Sequence, residues 1–166
     1  MRRRFISIKG SGMLFLTFSC AGGRFALPTQ AIERVLPFAV LEPAAGAAEN
    51  VAGYLMLKGV PVAVIDLNQV LSGSAAAVLY STRIAVLKGT GPGRAAVLIE
   101  GATRVARGEK FLEAGPAGSG AYSVGIFSQE GLSYQVIDAE KVLSSVFSTV
   151  FPSEHQKEEH QKGEAA

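Results

Sequence analysis

VIDLNQVL occupies positions 64–71 and VIDAEKVL occupies 136–143. The echo continues upstream at the same offset: Gly53 and Gly59 precede the first copy, and Gly125 and Gly131 precede the second. Across 53–71 and 125–143, 7 of 19 positions are identical. A chain that writes one short segment twice must build two like units into its fold, so the duplication constrains the architecture more than any single motif.

Other landmarks repeat at an offset of 70. GRFAL at 23–27 is answered by GRAAV at 93–97, and Arg34-Val35 by Arg104-Val105. The local patterns are those of short strands. Met13–Cys20 and Gly23–Pro28 read as a hairpin, Gly53–Leu57 and Val60–Ile65 as a second, and Arg83–Leu87 and Arg94–Glu100 as strands around the turn KGTGPG. Tyr122–Phe127 and Leu132–Ile137 close the series, and Leu41–Asn50 reads as a loop. Asp66 and Asp138 each stand where a carboxylate can cap a following helix, with Gln69 placed close to a capping box. Along the second helix Val142, Val146 and Val150 form an apolar stripe with Leu143, Phe147 and Phe151, and Pro152 ends it. The expectation is two similar all-β units, halves about 13–71 and 83–143. The repeat leaves open whether each half builds its own barrel.

The composition excludes several classes. Of 166 residues, 48% are apolar and 18% charged, which predicts a packed body rather than disorder. The net charge of +2 comes from the ends: Arg2, Arg3, Arg4 and Lys9 near the start, two lysines against four glutamates after Pro152. The body is neutral, so no basic face for nucleic acid is expected. Cys20 is the only cysteine, which rules out an intrachain disulfide and a cysteine metal cluster. The longest apolar candidate, Val51–Leu67, is broken by Lys58-Gly59 and Pro61, short of the ~18 residues a spanning helix needs, so no direct membrane insertion is expected. The basic start and the apolar stretch ending at Cys20 allow a lipoprotein signal, but Lys9–Gly12 interrupts it. Residues 1–12 are read instead as an extension, and 152–166, with its EHQK repeat, as a disordered tail.

FLTFSCAGGRFALP, GYLMLKGVPVAVIDL, STRIAVLK, AAVLIEGATRV and GLSYQVIDAEKVL together resemble the CheW-like domain family of bacterial chemotaxis coupling proteins, over about residues 13–147. The resemblance implies two five-stranded SH3-like β-barrels around a shared core, short capping helices and a C-terminal helix. It also implies a cytoplasmic, non-enzymatic adaptor, recruited to membrane-associated receptor arrays. Its partners would be a methyl-accepting chemoreceptor's cytoplasmic tip and the regulatory domain of a CheA-type histidine kinase, and it would need no cofactor. By this resemblance Ile32 and Arg34 lie on a surface that meets a receptor, with Lys58 in the turn beside it. The chain departs from the family pattern where Lys58 replaces an arginine, Arg34 stands at a usual acid, and Glu100 precedes Gly101 in place of aspartate. These departures suit a divergent paralogue in an alternative chemosensory system.

Other readings of the residues are weaker. Asp66 and Asp138, the only aspartates, could be a catalytic carboxylate pair, but the repeat gives each the same capping task in its own half. The only histidines, His155 and His160, are five apart in the tail, which misses the spacing of a helical metal pair. The glycine-rich run 89–93 leads into a strand rather than the helix a phosphate loop requires. Lys58 reads either as a solvated turn lysine or as a partner contact. An envelope-anchored or secreted β-barrel binding protein is the rival to the adaptor. Because the tail lacks apolar anchors, deleting residues 153–166 is expected to shift the melting temperature by less than ~4 °C, about 1 kcal/mol, in calorimetry.

Overall fold

Alternating apolar runs and tight turns produce eleven strands and two helices in the computed structural model, which describes residues 5–6, 12–89, 95–108, 110–113 and 120–150. In chain order they are β1 Phe5–Ile6, β2 Leu14–Cys20, β3 Gly23–Pro28, β4 Ile32–Pro37, β5 Val51–Leu57 and β6 Val60–Asp66. Then come α1 Leu67–Ser72, β7 Arg83–Leu87, β8 Ala95–Arg107, β9 Lys110–Glu113, β10 Ser123–Gln129, β11 Leu132–Ile137 and α2 Ala139–Val150. The expected hairpins are present. The segment read as an extension contains β1, which pairs with β9. Strand β8 runs well past Glu100, bending at Gly101, whose φ of 56° is left-handed. The tail, Phe151 and most of the KGTGPG turn lie outside the described residues.

The sheet connections show how the duplicated halves combine. Strand β6 runs parallel to β8, with Ala63 opposite Ala95 and Val64 opposite Ala96. Strand β11 runs parallel to β3, with Gln135 opposite Phe25 and Val136 opposite Ala26. Adding 72 to the residues of β6 and subtracting 70 from those of β8 converts the first pair of contacts into the second. Each half therefore lends its capped hairpin to the other. One lobe contains β2 and β3 from the first half with the C-terminal part of β8 and β9–β11 from the second. The other contains β4–β6 from the first half with β7 and the N-terminal part of β8. We call these the first and second lobes.

Strand alternation then divides the apolar residues among three cores. Phe15, Ala26, Ala106, Phe127 and Val136 fill the first lobe, where Phe15, Phe127 and Tyr134 stack at centroid spacings of 4.4 and 4.8 Å. Leu55, Val62, Val64, Ile84, Val86, Ala96 and Leu98 fill the second. Between the lobes lies a third core containing Leu16, Leu27, Ile65, Val97, Ile99, Ile137, Val142 and Val146. This partition explains the repeated tripeptide: Val64 and Val136 point into their own lobes, Ile65 and Ile137 point into the shared core, and the aspartates start the helices. The repeated Gly53 and Gly125 sit at register shifts. A Cβ on Gly53 would meet the Glu42 carbonyl at 2.6 Å, and one on Gly125 would collide with Leu112 and Phe111.

Both aspartates cap as expected, but with different reach. Asp66 Oδ1 accepts from Gln69 N at 3.1 Å, and its Oδ2 accepts from Ala76 N at 2.8 Å. Gln69 does not complete a capping box; its Nε2 donates to the Gly73 carbonyl instead. Asp138 Oδ1 accepts from Glu140 N and Lys141 N, both within its own helix. Asp66 is buried and Asp138 is half-buried. Removing Asp66 therefore loses a cap and strands a loop amide. We expect Asp138→Ala to cost about 1 kcal/mol and Asp66→Ala about 2–3 kcal/mol in urea unfolding. Equal losses would show that the second bond of Asp66 contributes nothing.

Candidate functional site

Strand β4 follows a single 3-10 turn, Thr29–Ala31, and opens on Ile32. Ile32 is half-buried and packs against the shared core. The register jumps between Ile32 opposite Leu87 and Arg34 opposite Val86, which places Glu33 in a bulge. Arg34 is exposed, and its Nη2 lies 3.3 Å from Glu33 Oε1. Lys58 and Gly59 form the two-residue link between β5 and β6, with φ values of 49° and 77°. Left-handed backbone at both positions matches the twist of the flanking strands, and Lys58 stands exposed at the tip of the hairpin.

Register places these residues at one end of the second lobe. Ile32 faces Leu87 at the end of β7, Val86 faces Ala96 near the start of β8, and Ala95 faces Ala63 at the middle of β6, whose start leads on to the tip. The Lys58-Gly59 turn projects beyond that row. Among the described residues Lys58 forms no ion pair. Exposed Val35, Met56 and Val60 belong to the same strands.

The first lobe supplies an internal control. Arg104 is the repeat counterpart of Arg34, and Glu130-Gly131, with φ of 50° and 75°, is the counterpart of Lys58-Gly59. From Arg34 the row runs Val86, Ala96, Val64, Gly53; from Arg104 it runs Thr17, Ala26, Val136, Gly125. In the first lobe the row closes on itself electrostatically, with Arg104 Nη1 3.7 Å from Glu130 Oε2. In the second lobe the acid of that turn is a lysine. Two cations take the positions of an ion pair, with Glu33 the only acid among the described residues bonded to either.

Among the described residues no group of three or more His, Cys, Asp or Glu could hold a metal ion. His155 and His160 lie outside the described residues. The two aspartates serve separate helices. No helix among the described residues is long and apolar enough to cross a membrane.

A sequence model of the CheW-like domain matches residues 14–147 of this chain. Among solved structures, the scaffolding protein TtCheW from Thermoanaerobacter tengcongensis is similar, with a TM-score of 0.69 and 17% identity over 80% of this chain and 88% of that one. No curated protein sequence matches.

Cys20 ends β2, buried opposite Gly23. Cleavage before a lipid-bearing Cys20 would remove Phe15, Leu16 and Phe18, which belong to two of the cores. That geometry argues against the lipoprotein reading of the first twenty residues. Burial also pushes the Cys20 thiol above its ordinary range, which lowers the reactive thiolate fraction. We expect a thiol reagent at pH 8 to label the folded protein at least about tenfold more slowly than the urea-unfolded chain. Equal rates would mean that the β2 end opens freely.

Proposed function

The chain belongs to the CheW-like domain family, and from that membership we propose a cytoplasmic, non-enzymatic adaptor that couples chemoreceptors to a histidine kinase. On this reading it joins the cytoplasmic tip of a methyl-accepting chemoreceptor to the regulatory domain of a CheA-type kinase, recruited to arrays at the membrane. The observation that carries the proposal is the end of the second lobe, where Arg34 and Lys58 replace the self-neutralised Arg104–Glu130 pair. A like-charge pair costs little in water, where its repulsion is screened. It becomes favourable when a partner brings a carboxylate to it. Half-buried Ile32 sits at the same end and provides the apolar contact.

Rim charges set encounter rate and partner choice more than they set affinity. Lysine in place of the family's arginine removes the planar fork that grips a carboxylate through two bonds. Together with Arg34 at a position usually acidic, this favours membership in a divergent or alternative chemosensory system. The receptor of such a system would present a complementary acidic rim.

Lys58→Glu tests the proposal sharply, because it rebuilds in the second lobe the charge arrangement of Arg104 and Glu130. The substitution falls at an exposed turn, so folding should be nearly unaffected. We expect its association rate with a cognate receptor tip to fall about three- to tenfold at low salt, and the wild-type rate to fall with added salt. Lys58→Arg should preserve binding. Surface-binding kinetics give the answer, and unchanged rates for well-folded Lys58→Glu would leave Lys58 a solvated turn residue.

A further inference from the structure

Strand β9, Lys110–Glu113, is held on one side by β10, with Lys110 opposite Ser128, Phe111 opposite Phe127, Leu112 opposite Ile126 and Glu113 opposite Gly125. Its other side is a sheet edge. The only strand laid on that edge among the described residues is β1, with Phe5 opposite Leu112 and Ile6 opposite Phe111. An uncovered edge offers unpaired amides and carbonyls to any strand that can match it. Two residues of pairing make a weak cover, since even a whole hairpin is marginal by itself in water.

The residue order of β9 determines which strand matches it. Set antiparallel to a second KFLE, Lys110 stands opposite Glu113 and Phe111 opposite Leu112, and the same two pairs recur in reverse. Opposite charges meet at both ends and apolar residues meet in the middle, which are favourable cross-strand pairs. A two-fold axis between Phe111 and Leu112 relates the two halves of this pairing, so the edge satisfies itself in a closed dimer. Strand β1 follows the same pattern, because Arg4-Phe5-Ile6 resembles Lys110-Phe111-Leu112. Its register is also the one a second β9 would take, with phenylalanine on Leu112 and an aliphatic residue on Phe111. The chain's own N-terminal strand stands in the place of another copy's edge.

The two pairings exclude each other, and the tether decides between them. Met13 O accepts from Gly108 N at 2.9 Å, and Ile6 stands opposite Phe111. Residues 7–12 join Ile6 to Met13, whereas residues 109 and 110 suffice to join Gly108 to Phe111, so the tether exceeds the gap it spans. Such a tether presents β1 to the edge at a local concentration on the order of millimolar, above that of a second copy in dilute solution. In the second lobe the matching edge is a single bridge, Glu42 opposite Tyr54, and the next residue, Pro43, cannot donate to a ladder. We infer that β9 is a self-association edge for a second copy of this chain, and that β1 is the intramolecular strap that keeps it closed.

Sedimentation velocity on the full chain and on residues 13–166 tests this. The full chain should run as a monomer, and the shortened chain should dimerise at least about tenfold more tightly. Phe5→Pro/Ile6→Pro in the full chain, which removes both amides from the ladder, should do the same. In the shortened chain Glu113→Lys sets lysine against lysine across the two-fold axis and should weaken the dimer at least about tenfold. Lys110→Glu/Glu113→Lys restores opposite charges in reversed order and should recover it. A folded shortened chain that stays monomeric overturns the inference. Loss of folding on shortening also overturns it, by making β1 part of the body instead of a strap. A dimer indifferent to Glu113→Lys would lie elsewhere and overturn the assignment to β9.

Discussion

The shared core between the lobes depends on a reciprocal loan of strands. Ile65 and Ile137 reach it only because β6 runs parallel to β8 and β11 runs parallel to β3. A parallel pair cannot be closed by a tight turn. Here each parallel contact joins strands from opposite halves of the chain, so the intervening chain provides the connection. The consequence is that neither half can complete a lobe by itself. Breaking the loan would expose the Val64 and Val136 faces together with the shared core, so the two lobes should unfold as one cooperative unit. The Lys58 turn and the Val78–Tyr80 loop inherit fixed positions from that arrangement, since both spring from strands clamped on β8.

Much of this was legible in the sequence because the repeat fixes local roles. The hairpins, both aspartate caps and the apolar stripe with Val142 and Val146 were readable from spacing and residue type. The exchange of hairpins was not, since adjacency in sequence is identical whether a hairpin packs on its own half or the other. Strand β9 was also unread, because Lys110–Glu113 is too short to establish alternation and its pairing with β10 is set by tertiary contact. The continuation of β8 past Gly101 was hidden by a glycine that normally marks a break. The candidate residues Ile32, Arg34 and Lys58 were chosen by family resemblance, while their common location at one end of a lobe emerges only from register. Val78–Tyr80 gave no periodic signal, and the shape of its loop depends on bonds from Asp66, Thr82, Arg83 and Glu100, which lie on other parts of the chain or end the loop.

Duplication also explains how one fold acquires distinct surfaces. Identical strand rows leave Glu130 within reach of Arg104 and put Lys58 in the matching turn of the second lobe. One substitution at a hairpin tip is enough to put two cations where the first lobe has an ion pair, the arrangement on which the proposed receptor contact rests. At the opposite end, the cap that starts α1 doubles as an anchor for a loop, a task that Asp138 does not perform in the described structure. The two halves thus differ at a turn and in the reach of a cap, while the three cores keep the repeat.

The proposed adaptor role requires that a receptor tip and the kinase regulatory domain be held at the same time. Sedimentation velocity on an equimolar mixture of this protein, the receptor-tip fragment and the kinase regulatory domain tests that most directly. The account predicts a single ternary species in which neither partner displaces the other as its concentration is raised. Two mutually exclusive binary complexes would contradict it.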